Sequence, residues 1–489
     1  MKKIEYKWTA LFCTTLGALF SVLSGSTLMI ALPVIMKDLN TSMSIVTWTI
    51  MGYMLVMTIL VPSIGRIADM VGRKKLYVGG FAIFTVTSLL CAIAQTGLQL
   101  LIFRMIQAIG GALIVANSTA IVADAFPKRE LGKALGINSM IICVAAVAGP
   151  ILGGFLIGTG WRSIFYVNIP IGVIGTIWAS ISLKETKLFS QKQKFDINGM
   201  LTFSAGVLAL LTALTIGGFS GWTNIYVLSL FIASIVLLGI FVSIENKVEY
   251  PMLDLRLLKT RVLAFAFLAN FLNGVARGAV TFLLIFYFQG VKGIDPMLAG
   301  ILLSPFALAM MIVSPFSGWL SDKYGVRILS SVGLVISAVG LAGLMMIRVD
   351  TSTVELVIWM SIMGLGSGMF FAPNTSAIMG GVPADKRGIA AGLRTMLTNA
   401  GMVLSIAICM AIISSSISPE AMQGLFVGTQ VGSNGIATTQ FISGLRTAFT
   451  ICFIFSLLAA FISYLRGPSP EWEEDEELET NIKGKVITS

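Results

Sequence analysis

A polar motif occurs twice in this chain, each time between two long apolar stretches. Residues 65–76 read Gly-Arg-Ile-Ala-Asp-Met-Val-Gly-Arg-Lys-Lys-Leu, and residues 318–327 read Gly-Trp-Leu-Ser-Asp-Lys-Tyr-Gly-Val-Arg. Because the bilayer core does not accept such a cluster of charges, each copy is predicted to be a tight hairpin in the aqueous or headgroup layer between two membrane helices. The motif residues are Gly65, Asp69, Gly72 and Arg73 in the first copy and Asp322 and Gly325 in the second.

The composition supports membrane spans on both sides of each hairpin. Hydrophobic residues make up 56% of the chain and charged residues only 11%, against about 25% charged in soluble proteins. Since about 20 apolar residues cross a bilayer, the 489 residues divide into fourteen predicted spans. They lie near 9–34, 45–65, 76–95, 98–122, 135–157, 164–183, 197–217, 225–244, 262–288, 297–320, 328–347, 353–378, 389–413 and 441–465.

Positive charges fix the predicted orientation of these spans. If both termini are cytoplasmic, most Lys and Arg residues fall inside, and the outside loops hold only Lys37, Arg162, Lys292, Arg348 and Arg446. Cytoplasmic loops of membrane proteins carry such an excess. We therefore expect a multi-pass plasma-membrane protein with both termini and the linker 184–196 inside and the loop 414–440 outside. The net charge of +10 then reflects topology and not nucleic-acid binding.

Several kinds of chemistry are excluded by what the sequence lacks. The chain has no histidine and no Gly-x-x-x-x-Gly-Lys-Ser/Thr loop, and its five cysteines all fall inside predicted spans without metal-ligand spacing. Paired carboxylates, or a serine with a base, do not occur at helical spacing within the spans. We therefore expect no enzyme activity, no metal and no cofactor.

An internal repeat divides the chain into two halves. Residues 126–136 and 382–392 share Pro, Gly, Ala and Gly at identical offsets, and each copy follows one of the two polar motifs. The predicted units are a six-helix half at 1–183, two inserted spans with linkers at 184–261, a second six-helix half at 262–466 and an acidic cytoplasmic tail at 467–489. Two halves related in this way indicate alternating access to a site near the membrane midplane.

Further motifs carry a family resemblance. Arg104 and Gln107 are the ends of an Arg-x-x-Gln sequence in the fourth span. The fifth span contains Gly-Pro-Ile-Leu-Gly-Gly, and residues 161–172 read Trp-Arg-Ser-Ile-Phe-Tyr-Val-Asn-Ile-Pro-Ile-Gly. With the duplicated hairpin motif, and with Trp48 and Tyr53 in span two, the chain resembles the major facilitator superfamily, in particular its fourteen-span drug/proton antiporter branch. The fifth-span residues concerned are Gly149, Pro150, Gly153 and Gly154.

This resemblance implies a fold, a function and partners. The fold is all-α and polytopic, with two six-helix halves plus two additional transmembrane helices. The implied function is secondary active efflux of amphipathic or drug-like compounds, coupled to the proton gradient. The partners are then a small amphipathic substrate, the lipid bilayer and protons, with the oligomeric state open. The hairpin motif is implied to lock a cytoplasmic gate, and the fifth-span motif is associated with exporters.

The first span departs from that branch. Where the branch has an Asp, this chain has Ser24, and Met29 replaces an Asn. No Asp or Glu lies near the middle of any predicted span, although a membrane carboxylate is the obvious proton carrier in such transporters. An exporter of an anionic metabolite or lipid is therefore an alternative. A transport-inactive sensor or scaffold is another, but such a protein would be expected to lose the gate motifs.

Polar residues within the spans are the candidates for the substrate site. An arginine at the centre of a membrane helix costs roughly 2.5–3.5 kcal/mol on insertion. We expect Arg104, together with Gln107 and Ser24, to function in the cavity. For Arg277, at the end of a stripe with Asn270 and Asn273, cavity lining and hydrogen bonding to helix carbonyls remain equal alternatives. Arg394 is expected to extend to the cytoplasmic surface.

Overall fold

A computed structural model of the chain describes residues 5–41, 43–185, 196–220, 222–248, 259–294, 296–383, 386–417 and 435–467. All regular structure in these ranges is helical, and the long helices pack side by side in a bundle. Helices are the expected outcome because an α-helix satisfies its own backbone N–H and C=O groups where lipid supplies no partner. Most of the linker 184–196, most of the loop 414–440 and the tail after Gly467 lie outside the described residues.

The helices form two six-helix halves and an added pair, as the resemblance implies. The first half contains α1 (Tyr6–Asp38), α2 (Met43–Val71), α3 (Arg73–Ala92), α4 (Gly97–Ala125), α5 (Lys128–Ile157), α6 (Ser163–Tyr166) and α7 (Asn168–Ser182). The added helices are α8 (Ile197–Ser220) and α9 (Ile225–Glu245). The second half contains α10 (Arg261–Arg277), α11 (Val280–Phe286), α12 (Pro296–Tyr324), α13 (Val326–Leu344), α14 (Thr353–Gly380), α15 (Arg387–Ser416) and α16 (Gly435–Leu465).

The predicted spans correspond to these helices, with two interruptions. Within the described residues, 13 helical segments are long and apolar enough to cross a membrane, and α5, with 30 residues, has the length of a further span. Span six is broken at Val167 into α6 and α7. Span nine is broken between α10 and α11 and continues into a π-helical turn, Tyr287–Val291.

The two polar motifs form hairpins of a single residue each. Only Gly72 separates α2 from α3, with φ 112° and ψ 132°, and only Gly325 separates α12 from α13, with φ 85° and ψ 155°. Residues with a side chain are strained in this backbone region, so both positions require glycine. The connections are shorter than expected, because Asp69 and Asp322 lie in the last turns of α2 and α12. At 29 residues each, these helices are about 44 Å long and extend beyond the hydrocarbon core, where charges are accepted.

The added pair packs against both halves. α8 lies against α9 and also contacts α2 of the first half and α15 of the second. Phe203 and Leu211 of α8 belong to the same apolar cluster as Ile59 of α2 and Met396 of α15. The pair therefore covers the contact between α2 and α15, which we call the α2–α15 seam. The other major contact between the halves, the α5–α12 seam, joins α5 to α12 directly.

Candidate functional site

The polar residues of α4 lie in a buried hydrogen-bonded cluster. The Thr96 side chain caps α4 by accepting the backbone N–H of Gln99 at 3.2 Å. Arg104 and Gln107 follow on one face, since residues three apart in a helix are neighbours. Arg104 Nη1 donates to Gln107 Oε1 at 2.5 Å, and Gln107 Nε2 donates to Ser88 Oγ of α3 at 2.6 Å. The Arg104 side chain is fully enclosed, with 1% of the residue exposed.

Ser24 joins α1 and α7 to this cluster. Arg104 Nη1 also donates to Ser24 Oγ at 3.3 Å, and Asn168 Nδ2 donates to the same oxygen at 3.2 Å. Asn168 reaches it because the interruption at Val167 makes Asn168 the first residue of α7. The serine oxygen thus stands where the resembling branch has a carboxylate, and its two donors are a cation and an amide.

Aromatic rings cover the Arg104 guanidinium. Its Cζ lies 4.4 Å from the ring centroid of Tyr53 and 6.0 Å from that of Phe165. The Tyr53 hydroxyl is hydrogen-bonded to Ser21 Oγ at 3.3 Å. Among the described residues, the ion pairs involve other cations than Arg104, and its Nε has no hydrogen-bond partner. A buried cation without a counter-ion among the described residues makes the local potential positive.

The polar stripe of span nine lies in the other half. Asn270 Nδ2 donates to the backbone oxygen of Arg394 at 2.9 Å and to Thr398 Oγ1 at 2.8 Å, both on α15. Asn273 is buried in α10 as well. Arg277 is half-buried and ends α10, where the span is interrupted. The structure therefore brings Arg104, Gln107 and Ser24 together, whereas the described bonds of Asn270 hold α10 against α15.

A second charged cluster joins the two halves at the predicted cytoplasmic side. Arg73, the first residue of α3, forms an ion pair with Asp124 at the end of α4. The second carboxylate oxygen of Asp124 accepts from Arg387 Nη1 at 3.3 Å, and the backbone oxygen of Ala123 accepts from the same nitrogen at 2.9 Å. Because Arg387 is the first residue of α15, this link crosses from one half to the other.

Close backbone contacts lie at the same side. A side chain added at Gly318 of α12 would collide with the carbonyl oxygen of Gly132 in α5. A side chain at Gly392 of α15 would collide with Pro62 in α2. These contacts, like the Arg387 link, lie toward the predicted cytoplasmic ends of their helices, so the halves are closed against each other at that side.

The first hairpin is held by a carboxylate from the end of α7. Glu185 Oε1 accepts the backbone N–H of Lys74 at 3.1 Å, and a side chain at Gly72 would collide with that carboxylate. A carboxylate at a helix N-terminus is favourable because the exposed N–H groups carry positive partial charge. The side chains of Asp69 and Asp322 lie outside the described residues. Their gating role stays a prediction, as does that of Gly65.

The fifth-span motif faces the first helix. Gly149 and Gly153 lie so near α1 that a side chain at either position would press against it. Gly154 is half-buried, and the side chain of Pro150 lies outside the described residues. Close approach through glycine is common in membrane bundles. The association of this motif with export stays a prediction.

Trp161 and Arg162, in the motif at 161–172, hold helix ends together at the side of the membrane opposite to the Asp124 cluster. Trp161 Nε1 donates to Asp38 Oδ2 at 2.7 Å, and Arg162 Nη1 donates to the same oxygen at 2.8 Å. Arg162 Nη2 donates to the backbone oxygen of Ala94 at 3.1 Å. These bonds, from Trp161 first and then from Arg162, hold the pKa of Asp38 below its ordinary value.

Two halves of six helices, an added helix pair and a polar cluster enclosed between the helices are the architecture of a polytopic membrane transporter. The chain belongs to the Major Facilitator Superfamily, whose family model matches residues 14–406 and 266–487. This membership identifies a transporter and not an enzyme.

Individual relatives cover most of the chain. It is 33% identical over 463 residues to the riboflavin transporter RibZ of Clostridioides difficile (strain 630), covering 94% of this chain and 98% of that protein. It is 31% identical over 399 residues to the multidrug transporter protein MdtP of Bacillus subtilis (strain 168), covering 81% of this chain and 73% of that protein. The solved structure of the proton:xylose symporter XylE has the same fold, with a TM-score of 0.64 at 15% identity, over 93% of this chain and 94% of that one.

Some residues of these clusters are not identified by sequence reasoning. Tyr53 and Asn168 stand in recognised motifs, but their contacts with Arg104 and Ser24 depend on helix packing. From sequence alone, Asp124 lies at a span end and Arg387 is one of many inside cations. The signal in the sequence is the repeat of 126–136 and 382–392. It indicates that the start of α15 occupies the same position in the second half as the start of α5 does in the first, which is next to the end of α4.

Proposed function

We propose that this transporter exports neutral or anionic amphipathic, drug-like compounds and that the proton gradient drives the export. The observation that carries this proposal is the buried Arg104 guanidinium, hydrogen-bonded to Ser24 and without a described carboxylate partner. A lipophilic cation would meet an uncompensated positive charge there, whereas an anion or a neutral aromatic compound would not. The name of RibZ, a riboflavin transporter, fits an aromatic substrate, and the name of MdtP, a multidrug transporter, fits drug-like compounds.

Transport would proceed by alternating access of the two halves. Closure at the predicted cytoplasmic side holds Asp124 between Arg73 and Arg387. Opening of that side would separate Arg387 from Asp124 and let a compound enter from the cytoplasm. Return to the closed arrangement would re-form the ion pair and leave the compound facing outward. Arg104 would attract the polar end of the substrate, after Tyr53 moves from over the guanidinium.

Proton coupling in this chain cannot use a carboxylate at position 24. A serine hydroxyl has no pKa in the physiological range, so it cannot take up and release a proton as a carboxylate can. We propose that the coupling groups lie elsewhere. Asp124 is the described carboxylate in direct contact with both halves.

A transport assay tests this proposal. The purified chain is placed in proteoliposomes with an imposed pH gradient and given a panel of cationic, neutral and anionic dyes. We expect pH-dependent movement of neutral and anionic dyes at least as fast as that of monovalent cations. Selective export of lipophilic cations would overturn the proposed charge preference. Absence of any transport by folded protein would favour the sensor or scaffold alternative.

Export of an anionic metabolite or lipid is a second candidate, and Arg104 favours it equally. The range of compounds that the unmodified protein carries separates the two, and we propose that Arg277 lines the cavity and acts on anions in both. Arg277→Gln removes a charge but keeps a hydrogen-bond donor, so it should weaken anion transport more than neutral transport. If only anions are carried by the unmodified protein, the second candidate replaces the first.

A further inference from the structure

The place of Arg394 near the start of α15 suggests that its side chain extends to the membrane surface. In the structure it does not. Only 8% of the residue is exposed, and its Cζ lies 5.3 Å from the ring centroid of Phe371 on α14. Its side chain is therefore turned inward, over an aromatic face, although an arginine about 10 Å from a helix end can reach the headgroup layer.

Among the described residues, the Arg394 guanidinium has no ion-pair partner, and its hydrogen-bonding capacity is not fully satisfied. Its Nε has no hydrogen-bond partner among the described residues. The ion pairs of the described chain join carboxylates to Lys7, Arg73, Arg162 and Arg387, and Arg394 is not among these cations. A buried charge without a partner is costly, and such a cost points to a ligand that offsets it.

The backbone around Arg394 is nevertheless fixed. Its carbonyl oxygen accepts from Asn270 Nδ2 at 2.9 Å and from Thr398 Oγ1 at 2.9 Å. Asn270 belongs to α10 and Phe371 to α14, so helices on both sides position the arginine. Phe371 is half-buried and packs near Met310 of α12. The arginine and the ring thus lie between helices of the second half.

The depth of Arg394 separates it from the Arg104 cluster. The contact of Asp124 with Arg387 places the end of α4 and the start of α15 at the same side of the membrane. Arg394 lies seven residues from the start of α15, whereas Arg104 lies twenty residues before Asp124. At 1.5 Å per residue, the two arginines differ in depth by about 20 Å.

We propose that Arg394 and Phe371 form a second substrate site, which binds the anionic group of an amphipathic compound on the predicted cytoplasmic side of the transport path. The ligand class is an organic sulfonate or carboxylate on an aromatic body. The guanidinium takes the anionic group through charge-assisted hydrogen bonds, and the aromatic body contacts Phe371. This inference rests on the proposed function, in which such a compound passes from this inner site to the Arg104 cluster.

The site is tested by equilibrium binding to the purified full-length chain in detergent. The probe is naphthalene sulfonate, and naphthalene methanol, which has the same rings without the charge, is the matched neutral compound. Arg394→Gln should weaken sulfonate binding at one site per chain by about ten-fold or more, the effect of losing a charge-assisted hydrogen bond. Binding of the alcohol should stay unchanged, and Arg394→Lys should recover most of the sulfonate binding. Sulfonate binding at Arg104 is expected to be the same in the unmodified chain and in these variants.

Arg446→Gln is the control for loss of a structural arginine, because Arg446 is exposed and donates to the backbone oxygen of Ile347. It should leave sulfonate binding unchanged. The inner site is wrong if Arg394→Gln binds sulfonate as tightly as the unmodified chain. It is also wrong if sulfonate and alcohol lose affinity equally, which is the result expected of a purely structural Arg394.

The same probes separate this site from the proposed function. If sulfonate binds through Arg394 but the chain in proteoliposomes moves no neutral or anionic compound, the inner site stands and the proposed function fails. If transport occurs and Arg394→Gln binds like the unmodified chain, the proposed function stands and the inner site fails.

Discussion

Ser24 decides the electrostatic character of the Arg104 cluster. Its hydroxyl accepts from Arg104 and Asn168, so it satisfies donors without supplying charge. A carboxylate at the same place would neutralise the guanidinium and be stabilised by it. One residue therefore separates a cluster with a net positive charge from one with no net charge.

Ser24→Asp should improve the transport of lipophilic cations and weaken that of anionic compounds. The new carboxylate would lie within reach of Arg104 Nη1, which is 3.3 Å from the present hydroxyl oxygen. Efflux of one cationic and one anionic dye from proteoliposomes measures the change. Ser24→Asn, which is polar but uncharged, is the control, and equal behaviour of the two variants would contradict an electrostatic role.

At this scale the sequence identifies the central residues but not their partners. Arg104, Gln107 and Ser24 are recognisable because polar side chains are conspicuous in apolar helices. The bonds to Ser88 and Asn168 depend on how α3 and α7 turn against α1 and α4, and apolar spacing alone does not set that rotation. Arg394 illustrates the same limit: distance from a helix end suggests the surface, but packing against Phe371 turns the side chain inward.

The single-residue hairpins set the geometry of the helix pairs that they connect. Gly72 and Gly325 occupy the same backbone region, but their surroundings differ. Glu185 fills the space next to Gly72, whereas a side chain at Gly325 would meet open space. The two sites thus share the conformational cost of a substitution and differ in the steric cost.

Gly72→Ala should therefore lower stability more than Gly325→Ala. Both changes carry the backbone strain of a non-glycine residue in this region, about 1–3 kcal/mol. Gly72→Ala also displaces the Glu185 carboxylate from the start of α3. Thermal unfolding of the two purified variants in the same detergent gives the comparison. A larger loss for Gly325→Ala would show that Glu185 does not restrict the hairpin.

The interruption of the sixth and ninth spans is a feature that the apolar pattern does not reveal. Residues 164–183 and 262–288 are each long and apolar enough to be predicted as one span, although they contain Asn168 and the stripe of Asn270, Asn273 and Arg277. The break at Val167 comes before Asn168 and the other comes after Arg277, but polar residues within a span do not by themselves show where its helix is interrupted. The existence and order of the spans are thus predictable, whereas such local changes of helix direction are not.

For the whole molecule, the contact between Asp124 and Arg387 is expected to control closure. Asp124→Asn removes the charge that holds Arg73 and Arg387, so the closed arrangement should lose about 1.5–3 kcal/mol, the contribution of hydrogen bonds to charged groups. Spin labels at Lys133 and Lys323, on α5 and α12, should report a larger fraction of separated halves. Transport rate should fall while ligand affinity stays within a few-fold.

Asp38→Asn is the matched control for this change. Asp38 also accepts from an arginine, but its partners Trp161 and Arg162 belong to the same half and lie at the opposite side. It should leave the distance between the two labels unchanged. If both variants separate the halves equally, Asp124 has no special part in closure.

Orientation in the membrane is a prediction from the cation asymmetry alone. Cysteines introduced by Ser190→Cys in the linker and Gln430→Cys in the loop report it in intact cells with a membrane-impermeant reagent. We expect labelling at position 430 and not at position 190. The reverse pattern would invert the topology, and with it the assignment of the closed side to the cytoplasm.

Because of the packing of α8 and α9, the two flanks of the molecule differ in what they expose to lipid. The two halves repeat each other, yet among the described residues an added helix covers the α2–α15 seam, through Phe203 and Leu211, and not the α5–α12 seam. A compound dissolved in a bilayer leaflet therefore meets a shielded flank on one side and, in the described chain, the bare α5–α12 seam on the other. We therefore expect any lateral entry from the leaflet to occur at the α5–α12 flank, although the repeat of the two halves would otherwise offer two flanks.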